Sequence, residues 1–197
     1  MKPYFLTHPI GVLYFVVVLG WYFMELVQFA RQQQWQPDDA PAGPRSFWFA
    51  FVTCVTATIA VFGIAPHAAP GDAIGHGALI FVIGMAILVA GVALRLWSFY
   101  SLGRYFTFTV KVSPNQPVVT RGPYRVLRHP GYAGGLLAIV AIGLLNGNWV
   151  SVATVTLLWL ALIVWRIHIE ENALLTALDG RYRSYAAQHK RLVPLVW

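Results

Sequence analysis

The chain has 197 residues, 58% of them hydrophobic and only 11% charged, against roughly 25% charged in ordinary soluble domains. A soluble domain of this length keeps too much surface in water to hide so much apolar area, so the bilayer is its natural solvent. The net charge of +7 does not read as a nucleic-acid surface, because the basic residues flank apolar runs instead of forming one basic face.

The length leaves room for one domain. The single cysteine, Cys54, lies in an apolar run, so neither an intramolecular disulfide nor a cysteine metal cluster is available. The first apolar run is preceded only by Lys2 and lacks a convincing small-residue cleavage site, which predicts a retained span.

A helix crossing the hydrocarbon core needs about 20 apolar residues. Ile10 to Phe29, Ser46 to Ala65 and Gly77 to Phe99 meet that length. The apolar region from Tyr132 to Ile169 is longer than one span and is interrupted by Asn146-Gly147-Asn148, a turn signal. It predicts a helical hairpin, Gly131 to Leu145 and Trp149 to Ile169, whose short first arm tilts or crosses incompletely. The expected fold is therefore an all-α integral membrane protein of about five transmembrane helices, the last two a hairpin.

Lysine and arginine set the orientation. Arg104, Lys111, Arg121, Arg125 and Arg128 precede the hairpin, and Arg181, Arg183, Lys190 and Arg191 follow it. A hairpin puts both groups on one side, and the loop from Arg31 to Arg45 shares it. The loop Pro66 to His76 has no Lys or Arg and belongs opposite. An odd number of spans then places the N-terminus outside and the C-terminus in the cytoplasm. Trp21, Trp35, Trp48, Trp97, Trp149 and Trp165 are expected in an aromatic belt. Gly84, Ala86, Ala90 and Gly91 offer small faces for helix packing. Glu25, late in the first span, lines a cavity or snorkels to the interface. Both readings stay open.

Between Ser101 and Arg128 the apolar periodicity lapses. Phe106 to Val112 alternates like a short strand, Ser113 to Pro117 is a turn, and Val118-Val119-Thr120 is extended. Arg121-Gly122-Pro123 turns the chain again. Pro130 fits the first turn of a helix, with His129 near its cap and small residues, Gly131, Ala133 and Gly134, behind it. Such a start lets a ligand approach the backbone and favours an anion. That the motif only shapes a loop is an equal alternative on these residues alone. Arg166 and Glu170 are one helical turn apart and share a face. They form a surface ion pair or line a hydrated cavity beside the start of the preceding helix, while His168 points elsewhere.

The runs Ser101-Leu102-Gly103-Arg104-Tyr105-Phe106, Val118 to Tyr124 and Arg128-His129-Pro130-Gly131-Tyr132-Ala133-Gly134 resemble isoprenylcysteine carboxyl methyltransferases. So does the tail with Glu170-Glu171-Asn172-Ala173-Leu174, Tyr182, Tyr185 and Leu192-Val193-Pro194. The His-Pro element alone is shared with phospholipid methyltransferases and sterol reductases, and the downstream Glu-Glu pair makes it more specific. The resemblance covers roughly the C-terminal half. It implies one membrane-embedded methyltransferase domain over residues 1–197, with three spans in 10–100 and a cofactor-binding half in 101–197 that includes a cytosolic segment.

The resemblance further implies S-adenosylmethionine as cofactor. Its contacts would come from Lys111, Gln116, Pro117, Val118, Val119, Tyr124, His129, Pro130, Gly131, Tyr132 and Glu170. Arg166 would be the catalytic, substrate-binding residue that meets a substrate carboxylate. No metal is expected. The expected partners are membrane lipids and a lipophilic or prenylated substrate. Asp179 departs from the pattern, standing where the family usually has glycine. This register keeps Tyr182 and Tyr185 aligned and selects Glu170. Shifting it to Gly180 would select Glu171.

A sulfonium methyl donor reacts by in-line displacement. A carboxylate acceptor is ionised at neutral pH and needs no general base, so the enzyme works by positioning. An amine acceptor must lose a proton, for which His129 is a candidate. Three alternatives accompany this reading. The first is a lipid-amine methyltransferase. The second is an NADPH-dependent sterol-type reductase, for which the dinucleotide glycine fingerprint is missing. The third is a non-enzymatic scaffold or transporter, for which no internal repeat is visible. The identity of the acceptor and the oligomeric state are not written in the sequence.

Overall fold

The computed structural model describes residues 4–34, 74, 77–106 and 112–193. Its helices are α1 (Tyr4–Thr7), α2 (Val12–Gln34), α3 (Gly77–Leu102), α4 (Pro130–Leu145), α5 (Trp149–Leu178) and α6 (Gly180–Gln188). Short 3-10 turns cover Pro9–Gly11, Gly103–Tyr105 and Gly122–Arg125. Among the described residues there is no strand, only one isolated bridge between Leu127 and Lys190. The expected span Ser46 to Ala65, with Cys54, Trp35, Trp48 and Lys111, lies outside the described residues.

Three helical stretches, Pro9–Arg31, Gly77–Tyr105 and Trp149–Leu178, are long and apolar enough to cross a membrane, and Pro130–Leu145 is a shorter apolar helix. Leu13, Val16, Leu19 and Phe23 on α2, Leu79 and Val82 on α3, and Leu157 and Leu158 on α5 are exposed. In a bilayer these side chains face lipid instead of water, so leaving them outside the bundle carries no hydrophobic cost.

Helix α4 packs antiparallel between α3 and α5. Glycine sets the α3–α4 distance. A Cβ on Gly91 would lie 2.7 Å from the Gly134 carbonyl oxygen, and one on Gly134 would lie 2.6 Å from that of Gly91. The backbones therefore touch, as small-residue interfaces in membranes allow. Gly84 seats Leu145 in the same seam. Ala86 and Ala90 do not join it. They are exposed, because only one helical face can meet α4. On the other side of α4, Gly143 lies against Val152 and Gly135 against Trp159 of α5. The expected hairpin turn is present. Asn148 caps α5, its Oδ1 accepting from the Ser151 amide at 2.7 Å.

Two boundaries differ from expectation. Helix α5 does not end at Ile169 but runs on to Leu178. Hydropathy falls at Arg166-Ile167-His168-Ile169-Glu170-Glu171, yet Leu174, Leu175 and Leu178 keep an apolar stripe, and Leu178 packs with Tyr182 and Tyr185 of α6. At 30 residues, α5 is about 45 Å long. It therefore projects about 15 Å beyond a 30 Å hydrocarbon core. Helix α4, with 16 residues, spans only about 24 Å. Trp21 also departs from expectation. It is buried, with its Nε1 donating to Glu25, and so is not part of an interfacial belt, whereas Trp97, Trp149 and Trp165 are exposed.

The α5–α6 junction is a tight corner at Asp179, whose φ of +41° is the only positive φ at a non-glycine among the described residues. Side chains disfavour that conformation. Asp179→Gly is expected to raise stability by about 1 kcal/mol, seen as a higher melting temperature in detergent. Gly91→Ala is expected to do the reverse, lowering stability by about 1–3 kcal/mol in the same measurement, because its neighbours are backbone atoms that cannot rotate away.

Candidate active site

The site forms where α4 begins. Pro130 occupies the first position of α4 and the His129 backbone precedes it in a non-helical conformation, so the chain enters the helix without an amide to satisfy. The Tyr132 and Ala133 amides both bond the His129 carbonyl, at 3.1 Å each. Upstream, Gly122 takes φ +59°, and a Cβ there would collide with the Ser101 hydroxyl. This turn returns the chain to the end of α3 and seats Pro123 and Tyr124 in buried positions.

The C-terminal segment locks the same stretch from the other side. The Arg128 amide donates to the Lys190 carbonyl at 2.8 Å and the His129 amide to that of Arg191 at 3.0 Å. The Tyr185 hydroxyl is shared between the Tyr124 and Leu127 carbonyls, at 2.8 and 3.2 Å. Burial pushes the phenols of Tyr124, Tyr182 and Tyr185 above the ordinary value of 10, so all three stay neutral hydroxyls.

The two adjacent glutamates have different surroundings. Glu171 is buried. Its Oε1 meets Arg128 Nη1 at 2.8 Å and His129 Nε2 at 3.2 Å, and its Oε2 accepts from Arg191 Nε and Nη2 at 3.0 and 2.9 Å. Glu170 lines an open pocket. Its Oε2 accepts from the Tyr132 hydroxyl at 2.8 Å, and its Oε1 lies 3.9 Å from His129 Nδ1. The same Tyr132 hydroxyl accepts from Arg166 Nε at 3.3 Å. Arg166 and Glu170 are thus joined through Tyr132.

The pocket is an open cleft, and the space within it together with its solvent-filled mouth is about 1020 Å³. Gln116, Pro117, Val118 and Val119 form one wall, and Tyr124, His129, Gly131 and Tyr132 another. Arg166 and Glu170 complete the polar end. Of the residues expected from sequence, Pro130 is buried behind the pocket as the first residue of α4, because its ring packs into the helix start and does not line the cavity. Lys111 lies outside the described residues. Residues 112–120 carry no regular structure apart from the turn in which the Gln116 amide bonds the Ser113 carbonyl at 3.0 Å. The expected second extended piece, Val118 to Thr120, therefore brings Val118 and Val119 against the pocket without pairing into a sheet.

Sequence reasoning missed several wall residues. Val112, Leu174 and Leu178 make an apolar side with Tyr182. The continuing stripe on α5 was the available signal for the two leucines. The Tyr182 hydroxyl is buried and has no hydrogen-bond partner among the described residues. Arg95 also lines the pocket. It lies inside an apolar span, and the rarity of such a residue was its signal. Glu25 proves to be its partner, so it turns inward instead of snorkelling. His168 is exposed, on a face away from the pocket. Among the described residues no cluster of His, Cys, Asp or Glu is arranged to hold a metal ion.

Comparison with known proteins agrees with this architecture. Curated relatives include isoprenylcysteine O-methyltransferases A and B of Arabidopsis thaliana. They are 31% and 30% identical over 120 residues, covering 57% of this chain and 58% of each relative. The uncharacterized protein YpbQ of Bacillus subtilis is 33% identical over 93 residues, 47% of this chain and 55% of that protein. The chain thus spans little more than half the length of these relatives.

The solved structure of a eukaryotic intramembrane Ras methyltransferase, an isoprenylcysteine carboxyl methyltransferase, superposes with a TM-score of 0.64 at 22% identity. The match covers 91% of this chain and 64% of that one. The shared fold and the apolar helices make this an integral, multi-pass, all-α membrane protein. The family model for phospholipid methyltransferases matches residues 79–179, from the start of α3 to the corner after α5, and the chain belongs to that family.

Proposed function

We propose that the pocket at the start of α4 binds S-adenosylmethionine and that the protein methylates a lipophilic carboxylate of the isoprenylcysteine type. The observation that carries this reading is the Arg166–Tyr132–Glu170 chain, which places a cation and a carboxylate side by side in one pocket. The curated relatives named as isoprenylcysteine O-methyltransferases support the substrate class.

The pocket suits that cofactor in three respects. Glu170 supplies a negative charge for a sulfonium and an ammonium. Val112, Val118, Leu174 and Leu178 supply an apolar surface for a nucleoside. The buried Tyr182 hydroxyl, without a partner among the described residues, supplies a hydrogen bond that a ligand would complete. When bound, the cofactor supplies an electrophilic methyl group on sulfur.

The protein's residues then position and shield. Arg166 holds the acceptor carboxylate, which is already ionised at neutral pH, by charge-assisted hydrogen bonds. Tyr132 fixes Arg166 relative to Glu170, so that donor and acceptor sites keep one spacing. His129 stays engaged with Glu171 and orients the pocket floor. No proton needs to move. Lys111, Gln116, Pro117, Val119, Tyr124 and Gly131 complete the cofactor contacts in this reading, with Pro130 shaping the helix start. Residues 1–197 act as one unit, with the pocket on the cytosolic side, the N-terminus outside and the C-terminus inside.

The family description favours a second reading, methyl transfer to a phospholipid amine. A buried arginine at the acceptor end counts against it, because Arg166 would repel a protonated amine.

In calorimetry on the purified protein, Glu170→Ala and His129→Ala are each expected to weaken S-adenosylmethionine binding about tenfold or more. Unchanged affinity in both would exclude this pocket. Arg166→Ala is expected to keep donor binding within about threefold while methyl transfer to a farnesylcysteine derivative falls about 100-fold, measured with methyl-labelled donor. Incubation of the protein with native lipid extract and the same donor distinguishes the two acceptors. A labelled phospholipid with no labelled ester would replace the carboxylate reading by the amine one.

A further inference from the structure

A charged pair sits inside the apolar part of the bundle and the reaction makes no direct use of it. Glu25 of α2 and Arg95 of α3 are 70 residues apart in sequence and joined twice, through Arg95 Nε to Oε1 and through Nη2 to Oε2 at 2.9 Å. Their side chains are 17% and 5% exposed. Trp21, one turn before Glu25, donates to Oε1 at 2.9 Å. The Arg95 guanidinium also lies 4.8 Å from the centre of the Phe99 ring, a cation–π distance. It is therefore held on several sides.

A pair of this kind is weak evidence for stability. Desolvating two charges offsets most of their attraction, and an apolar pair of similar volume often serves as well. Ionisable groups within spans mark functional regions more often than structural ones. The remaining nitrogen of Arg95 indicates what the pair does here. Nη1 reaches the Gly131 carbonyl at 2.9 Å. Gly131 lies in the first turn of α4, and its neighbour Tyr132 carries the hydroxyl between Arg166 and Glu170. The contact does not require glycine, since a side-chain carbon at this position would meet its neighbours at ordinary van der Waals distance. A Cβ there would lie 3.5 Å from Ser98 and 4.0 Å from Arg95 Nη1.

We propose that the Glu25–Arg95 pair is a positioning device for the pocket: Glu25 aims Arg95, Arg95 pins the Gly131 carbonyl, and the pinned turn holds Tyr132 between Arg166 and Glu170. Helix α2 lies outside the matched family segment and contributes no wall residue to the pocket. The pair links it to the site. The consequence for ligand binding rests on the function proposed above, whereas the consequence for the turn does not.

The test uses the full chain in detergent, with hydrogen exchange of the α4 amides read by mass spectrometry beside calorimetry with S-adenosylmethionine. Arg95→Lys keeps the charge and loses the planar fork. Glu25→Gln keeps the side-chain shape and removes the charge. Both are expected to speed exchange in the first two turns of α4 about tenfold and to weaken donor binding about tenfold. The double variant Glu25→Arg with Arg95→Glu restores an ion pair but removes the donor to Gly131. It should recover the melting temperature lost in Arg95→Glu alone while exchange stays fast.

Unchanged exchange in both single variants would overturn the proposal. So would a double variant that slows exchange as it recovers the melting temperature, because the pair would then be a structural tie only. Fast exchange in the variants of a protein whose wild type binds no donor would support the positioning role and overturn the assigned function.

Discussion

The geometry of the site depends on one buried carboxylate. Glu171 accepts from three residues on two segments: Arg128 and His129 before α4, and Arg191 from the C-terminal return. A single buried acid surrounded by cations and hydrogen-bond donors is costly to leave unpaired. Removing its partners would cost about 3–5 kcal/mol. The bond network also fixes direction. With Glu171 turned toward Arg128 and Arg191, the helical rotation of about 100° per residue sends Glu170 to the adjoining face, where it meets Tyr132. Two consecutive residues of one type thus take different tasks. One holds the walls together and the other lines the pocket.

The same geometry accounts for the length mismatch between neighbouring helices. Helix α4 is about half as long as α5, and it starts level with Arg95, seven residues before the end of α3. That offset, about 10 Å along the helix axis, leaves a recess between the end of α3 and the projecting part of α5. The Gly122 turn and residues 112–120 close the recess from the side. Close packing at Gly91 and Gly134 keeps α4 from sliding to fill it, since a shift of either backbone breaks an interlocked contact. The pocket is therefore a consequence of where a helix starts, and Pro130 sets that start.

Much of this was legible in the sequence because the signals were local. Pro130 after His129, the Asn146-Gly147-Asn148 turn and the one-turn spacing of Arg166 and Glu170 act within a few residues, and short-range geometry determines their outcome. The extension of α5 was not legible by hydropathy, because a helix that leaves the bilayer changes solvent and its composition changes with it. Its end at Asp179 was marked only through the family resemblance, in which glycine usually stands there. Asp179 adopts a backbone conformation usually left to glycine, at the corner that the packing of Tyr182 and Tyr185 requires.

Glu25 and Arg95 mark the other limit of local reading. Each is conspicuous within an apolar run, but nothing in the spacing of either run states that they meet. Their contact requires α2 and α3 to run parallel, which the chain achieves through packing at both ends: Tyr4 lies against Gly77 and Phe81 at one end, and Glu25 meets Arg95 at the other. Each charge, read alone, has a plausible solution at the interface. Inside the bundle the only inexpensive solution is the other charge. The two helices can then settle in one register only, the one that brings both groups together. A charge in a span therefore specifies a neighbour as well as a depth, and here that neighbour reaches the backbone beside the pocket.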